Sequence, residues 1–102
     1  MNLVFEAPIA DKAKLIAMLE ADPYAVKSFS RNGYKVKDGA AVGQDKEKIY
    51  AYLRASDDFA SFAKEKLTGI AVESKHDVAS AIAKKIEEEE SNAEVGFGAI
   101  FG

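Results

Sequence analysis

The eight residues KIYAYLRA, Lys48 to Ala55, alternate without a fault, placing Ile49, Ala51, Leu53 and Ala55 on one side and Tyr50, Tyr52 and Arg54 on the other. Strand side chains alternate between two faces, whereas a helix repeats every 3.6 residues, so this run fits a half-buried β-strand. Such a strand needs ladder partners and a second layer over its apolar face. The rest of the chain must supply both.

Candidate partners lie upstream. Asn2 to Glu6, with Leu3, Val4 and Phe5 at its heart, reads as a first strand. Asn32-Gly33 is a strong hairpin signal because both residues accept positive φ, and Asp38-Gly39 repeats it six residues later. These turns predict strands at about 25–31, 34–37 and 40–43, the last being the weakest. A polar break from Gly43 to Glu47 precedes the alternating run.

The covering layer comes from three amphipathic segments. In KAKLIAMLEA, Leu15, Ile16 and Leu19 share a face, Asp11 is placed to cap the start, and Asp22-Pro23 ends the helix. After Ser56, a natural cap followed by Asp57 and Asp58, the residues Phe59, Phe62, Ala63, Leu67 and Ile70 keep helical spacing up to Gly69, placed for a C-terminal cap. A link from Ile70 to Glu73 leads to a helix beginning at Ser74 or Asp77, striped by Val78, Ala79, Ile82, Ala83 and Ile86. The expected fold is an α+β two-layer sandwich of order β-α-β-β-(β)-β-α-α, an antiparallel sheet with helices on one face. At 102 residues it is one domain over residues 1–92, followed by an apolar, glycine-rich tail at 93–102.

The tail, EVGFGAIFG, has the wrong glycine spacing for a phosphate loop. As an added strand it would offer Val95, Phe97, Ile100 and Phe101 as contacts, to its own sheet or to another chain. Burying four apolar side chains does not outweigh the ordering of nine backbone residues, so the tail needs a ladder as well.

No cysteine is present, which excludes disulfides, thiolate metal sites and a cysteine nucleophile, and is in keeping with a reducing cytoplasm. The N-terminus has no basic, apolar leader, and no run reaches the roughly 20 apolar residues of a membrane span. A single Gln, no Trp and abundant Lys, Glu and Ala resemble thermophile usage. His76, the lone histidine, has Ser74 and Asp77 nearby, but at a helix start these residues read as caps. Glu87, Glu88, Glu89 and Glu90 splay around a helix and read as a solvated face. No catalytic set, metal site or cofactor motif emerges.

Charge is unevenly spread. Tyr24 to Arg54 holds seven basic and three acidic residues, whereas Ala55 to Gly102 holds five basic and ten acidic. Two functions follow as expectations. The first is a non-enzymatic cytoplasmic interaction domain, pairing with itself or seated in a larger protein assembly, with the tail as contact. The alternative is binding of RNA or single-stranded DNA on a basic, aromatic sheet face made of Tyr50, Tyr52, Arg54, Lys35 and Arg31, where rings would stack on bases and cations would track phosphate.

Overall fold

Two seven-residue strands, β1 (Asn2–Pro8) and β3 (Lys48–Arg54), pair antiparallel along their whole length, from Asn2 opposite Arg54 to Pro8 opposite Lys48. A computed structural model describes residues 1–101, with side chains described for residues 1–90. Around the central pair the sheet runs β2-β3-β1-β4, with β2 at Lys35–Asp38 and β4 at Val72–Glu73, and every pairing is antiparallel. The helices are α1 (Lys12–Glu20), α2 (Phe29–Asn32), α3 (Asp57–Leu67) and α4 (His76–Phe101), with 3-10 turns at Ile9–Asp11 and Gly39–Val42. This is the expected α+β class. The expected added strand at 93–102 falls within the span of α4, which runs to Phe101, and its expected contacts Val95, Phe97, Ile100 and Phe101 have side chains outside the described set.

The pairing register sorts the sheet into two apolar faces. Leu3, Phe5 and Ala7 lie opposite Leu53, Ala51 and Ile49, and this face carries Leu15 and Leu19 of α1, Phe29 of α2, and Phe59, Ala60, Ala63 and Leu67 of α3. Val4, Tyr50 and Tyr52 point the other way and pack with Val42 and with Ile82, Ala83 and Ile86 of α4. Helices therefore cover both faces, not one. The stripe predicted on the last helix is correct, and its bed is the side of the sheet that carries the tyrosines.

The Asn32-Gly33 step does not turn a hairpin. Ser28 caps α2 by accepting the Arg31 N–H at 3.2 Å, and Phe29 is buried against Phe59 and Phe62, with ring centroids 5.5 and 5.8 Å away. A side-chain cap and an aromatic cluster thus stabilise a short helix where a strand at 25–31 was anticipated. Gly33 keeps the predicted positive φ, at +87°, but as the residue that ends the helix. The Asn32 amide donates to the Arg54 carbonyl at 2.9 Å and ties this corner to β3.

Asp38-Gly39 likewise opens a 3-10 turn and not a strand at 40–43. Gly39 is required there by space, since a Cβ would lie 1.7 Å from the Asp45 carbonyl oxygen. β4 occupies part of the supposed link at 70–73. It is only two residues long, which limits the exposed edge it presents. Among the described residues, no helix is long and apolar enough to cross a membrane.

Candidate functional site

The residues of the expected nucleic-acid face are close together but closed over. Lys35 pairs with Tyr52 and Lys37 with Tyr50, so both lysines share the tyrosines' side of the sheet. Tyr50 and Tyr52 are only 3% and 4% exposed beneath α4. The Tyr52 hydroxyl accepts from Arg54 Nε at 3.0 Å and donates to Asn2 Oδ1 at 3.4 Å, so its polar end is satisfied inside the protein. Burial, with Glu6 nearby, pushes the Tyr50 hydroxyl above its ordinary range. Base stacking needs open rings, and these two have no free face. Arg31 lies on α2, which packs on the opposite side of the sheet. The described residues therefore present no open stacking platform.

The cations of this face are neutralised from within. Lys35 Nζ lies 2.6 Å from Glu90, Lys37 Nζ 3.3 Å from Glu89, and the Arg54 guanidinium 3.4 Å from Glu87 and 3.8 Å from Glu90. The Lys35 ammonium, hydrogen-bonded to Glu90, holds that carboxyl below the usual carboxylate range. Glu89 and Glu90 lie three and four residues beyond Ile86, so they continue its stripe along α4. Their apolar neighbours cover the tyrosines and the acids reach the basic edge. This corrects the reading of the glutamates as a merely solvated face, and it explains the uneven charge: the basic middle and the acidic end of the chain meet within one molecule. Partly exposed pairs of this kind contribute about 0–1 kcal/mol each, so Ile82 and Ile86, fully buried at ~1.5–3 kcal/mol apiece, do most of the holding.

A cleft of about 300 Å³ lies at this corner, between Asn32, Tyr34, Lys35, Arg54 and Glu90. Its two cations are already engaged by α4 acids. His76 stands exposed at the start of α4 and Asp77 lies in the first turn, while Ser74 is buried with its hydroxyl unpartnered. No hydrogen bond joins the three among the described residues, and no group of three potential metal ligands converges there.

A different surface stands out on the opposite layer, in the loop between α1 and α2. Residues 21–27, ADPYAVK, are all exposed, and Tyr24 and Val26 reach 95% and 90% exposure. The loop is nonetheless pinned. Asp22 adopts φ +46°, Ala25 N–H donates to the Asp22 carbonyl at 3.0 Å, Ser28 Oγ donates to the Pro23 carbonyl at 3.3 Å, and Lys27 meets Asp58 at 2.8 Å. Positive φ is uncommon for a residue with a side chain, although Asp tolerates it better than most. Beside the loop opens a cleft of about 240 Å³ with Met18, Phe29 and Phe62 at its base and Lys27 and Lys66 among its walls. The Lys66 ammonium lies 5.8 Å from the centre of the Phe62 ring, within reach of a cation–π contact. Sequence reading missed this surface. The signal was there in Tyr24 and Val26 following Asp22-Pro23, but Val26 falls within the strand expected at 25–31, where an apolar residue needs no further explanation, and Tyr24 falls just ahead of it.

Fold and surface together define an α+β domain whose antiparallel sheet is covered on both faces and whose two most exposed large apolar side chains, among the described residues, sit on a pinned loop. No family model, curated protein or solved structure matches the chain.

Proposed function

We propose that the protein is an association domain that works by docking on another protein surface. The observation that carries this reading is the pairing of two almost fully exposed apolar side chains, Tyr24 and Val26, with a backbone held in place by its own hydrogen bonds. Scattered apolar residues are ordinary on a protein surface. An aromatic and a β-branched residue fixed two positions apart on an ordered loop, next to an apolar-based cleft, are the elements of an interface core. Tyr offers large contact area for few rotatable bonds, and a pinned loop loses little entropy on docking. Burying the Val26 side chain alone supplies about 1.5–3 kcal/mol, and the tyrosine ring adds a comparable amount.

The test is the size of the particle that contains the chain. In gel filtration of fresh extract and of purified protein, the chain is expected in a species larger than its own 11.0 kDa. The Tyr24→Ser/Val26→Ser variant is expected to run as the single chain with stability unchanged to within about 0.5 kcal/mol, because both side chains face solvent. Wild-type protein running at 11.0 kDa in both preparations would refute the association reading.

A further inference from the structure

Asn32-Gly33, which turns no hairpin, carries a second chemistry. Of the asparagines in the chain, Asn2 precedes Leu3, Asn92 precedes Ala93, and Asn32 alone precedes a glycine. At such a step the glycine main-chain nitrogen can attack the asparagine side-chain carbonyl carbon, because no Cβ crowds the nucleophile. Apart from its chain neighbours, nothing lies within 4 Å of where a Gly33 Cβ would stand, and Gly33 is exposed, so the step has both room and water. Hydrogen bonding holds the reaction back. The Gly33 N–H donates to the Phe29 carbonyl at 2.8 Å, which keeps the proton on the nitrogen and the nitrogen turned away from the side chain. The Asn32 amide nitrogen donates at 2.9 Å to both the Arg54 and Gly33 carbonyls, which fixes the carbon to be attacked and the group that must leave. We propose that Asn32 is a modification site gated by the fold, where opening of the α2 corner converts the asparagine to aspartate and isoaspartate through a succinimide.

The step balances with water alone. The Gly33 nitrogen gives its proton to solvent and bonds to Asn32 Cγ, and the side-chain nitrogen leaves as ammonia. Water then adds to either ring carbonyl and breaks its bond to the Gly33 nitrogen, so that water is consumed and ammonia released. The gate is local. α2 has four residues, too few for a helix to stand alone, and its last turn opens when these hydrogen bonds break, without loss of the core. Conversion then removes the tie. A carboxylate cannot donate, so it meets the Arg54 and Gly33 carbonyls acceptor to acceptor. Isoaspartate also adds a carbon to the main chain, which shifts the Gly33 N–H out of line with Phe29. The new charge stands at the cleft that Asn32 shares with Lys35, Arg54 and Glu90, where it competes with Glu90 for both cations.

The test incubates the full chain at neutral pH, folded or in urea, and follows residue 32 by peptide mass spectrometry. Conversion is expected to run about 10- to 1000-fold faster in urea, because three hydrogen bonds hold the folded corner. Ser28→Ala removes the acceptor for the Arg31 N–H and leaves the reacting groups in place. It should speed conversion of the folded chain about fivefold, speed hydrogen exchange of the Gly33 amide by the same factor, and leave the rate in urea unchanged. Asn32→Asp, which carries the product's charge, should lower the urea midpoint. Equal rates for the folded chain and the chain in urea would overturn the gate. An Asn32 that stays intact in urea would overturn the site itself. Faster Gly33 exchange in Ser28→Ala without faster conversion would show that opening of this corner does not control the reaction.

Discussion

Ile82→Ala tests whether α4 closes the tyrosine face of the sheet. Ile82 is fully buried among Val4, Tyr50, Tyr52 and Ile86. The substitution removes three carbons, about 2.4 kcal/mol at ~0.8 kcal/mol per group. A cavity term adds to this where a helix cannot fully collapse onto a sheet, and measured losses for such changes run to about 2–5 kcal/mol. About 3–4 kcal/mol is therefore expected, a large part of the roughly 5–15 kcal/mol that stabilises a domain of this size. Urea unfolding followed by circular dichroism reads the loss. Acrylamide quenching of tyrosine emission gives a second readout, since the chain has four tyrosines and no tryptophan. Loosening α4 should raise quenching as Tyr50 and Tyr52 open to solvent, above the constant background of Tyr24. Lys85→Ala, on the exposed side of α4, is the control and should stay within about 0.5 kcal/mol. A loss below about 1 kcal/mol for Ile82→Ala, with quenching unchanged, would mean that α4 does not rest on this face.

Acid should loosen the same helix through Glu90. Its folded carboxyl is held below the ordinary value by Lys35, so as pH falls through about 4.5 the unfolded chain takes up its proton first and stability drops. The gap in urea midpoint between wild type and Glu90→Gln should thus be present at neutral pH and close towards pH 3; a gap independent of pH would reject the ion pair as its source. Gly39→Ala should cost more than Gly33→Val or Gly43→Val, because its Cβ meets the backbone of Asp45, whereas the other two, at φ +87° and +71° in open surroundings, should cost similar amounts. Thermal melts that rank Gly39→Ala as the mildest of the three would contradict the close approach. Ser56→Ala removes the acceptor for the Phe59 N–H at 3.2 Å and should cost about 1 kcal/mol. Asp11→Ala, where the cap position makes no side-chain bond, should cost much less; equal losses would count against the cap assignment.

Features that depend on neighbours in the chain were legible without coordinates. The alternation from Lys48 to Arg54 became β3, Ser56 caps α3, the stripe Ile82, Ala83 and Ile86 is buried, and Gly33 and Gly69 both take positive φ. Each follows from a short-range rule of backbone geometry or side-chain spacing. Contacts between distant residues were not legible, because local pattern is silent on which of two surfaces will meet. Tyrosine shows this most clearly. Its ring suits a core and its hydroxyl suits water, so alternation could place Tyr50 and Tyr52 on one face without saying whether that face was wet. Only α4, arriving some thirty residues later with its isoleucines in line with Glu89 and Glu90, settled that the face is covered and the nearby lysines paired. The same holds at Asn32-Gly33, where a turn signal for a hairpin served instead to end a short helix because Phe29 found Phe59 and Phe62. It holds also for Val72 and Glu73, whose strand exists only because β1 offers them an edge. Local chemistry limits what each segment can be, and the free energy of long-range burial chooses among the forms that remain.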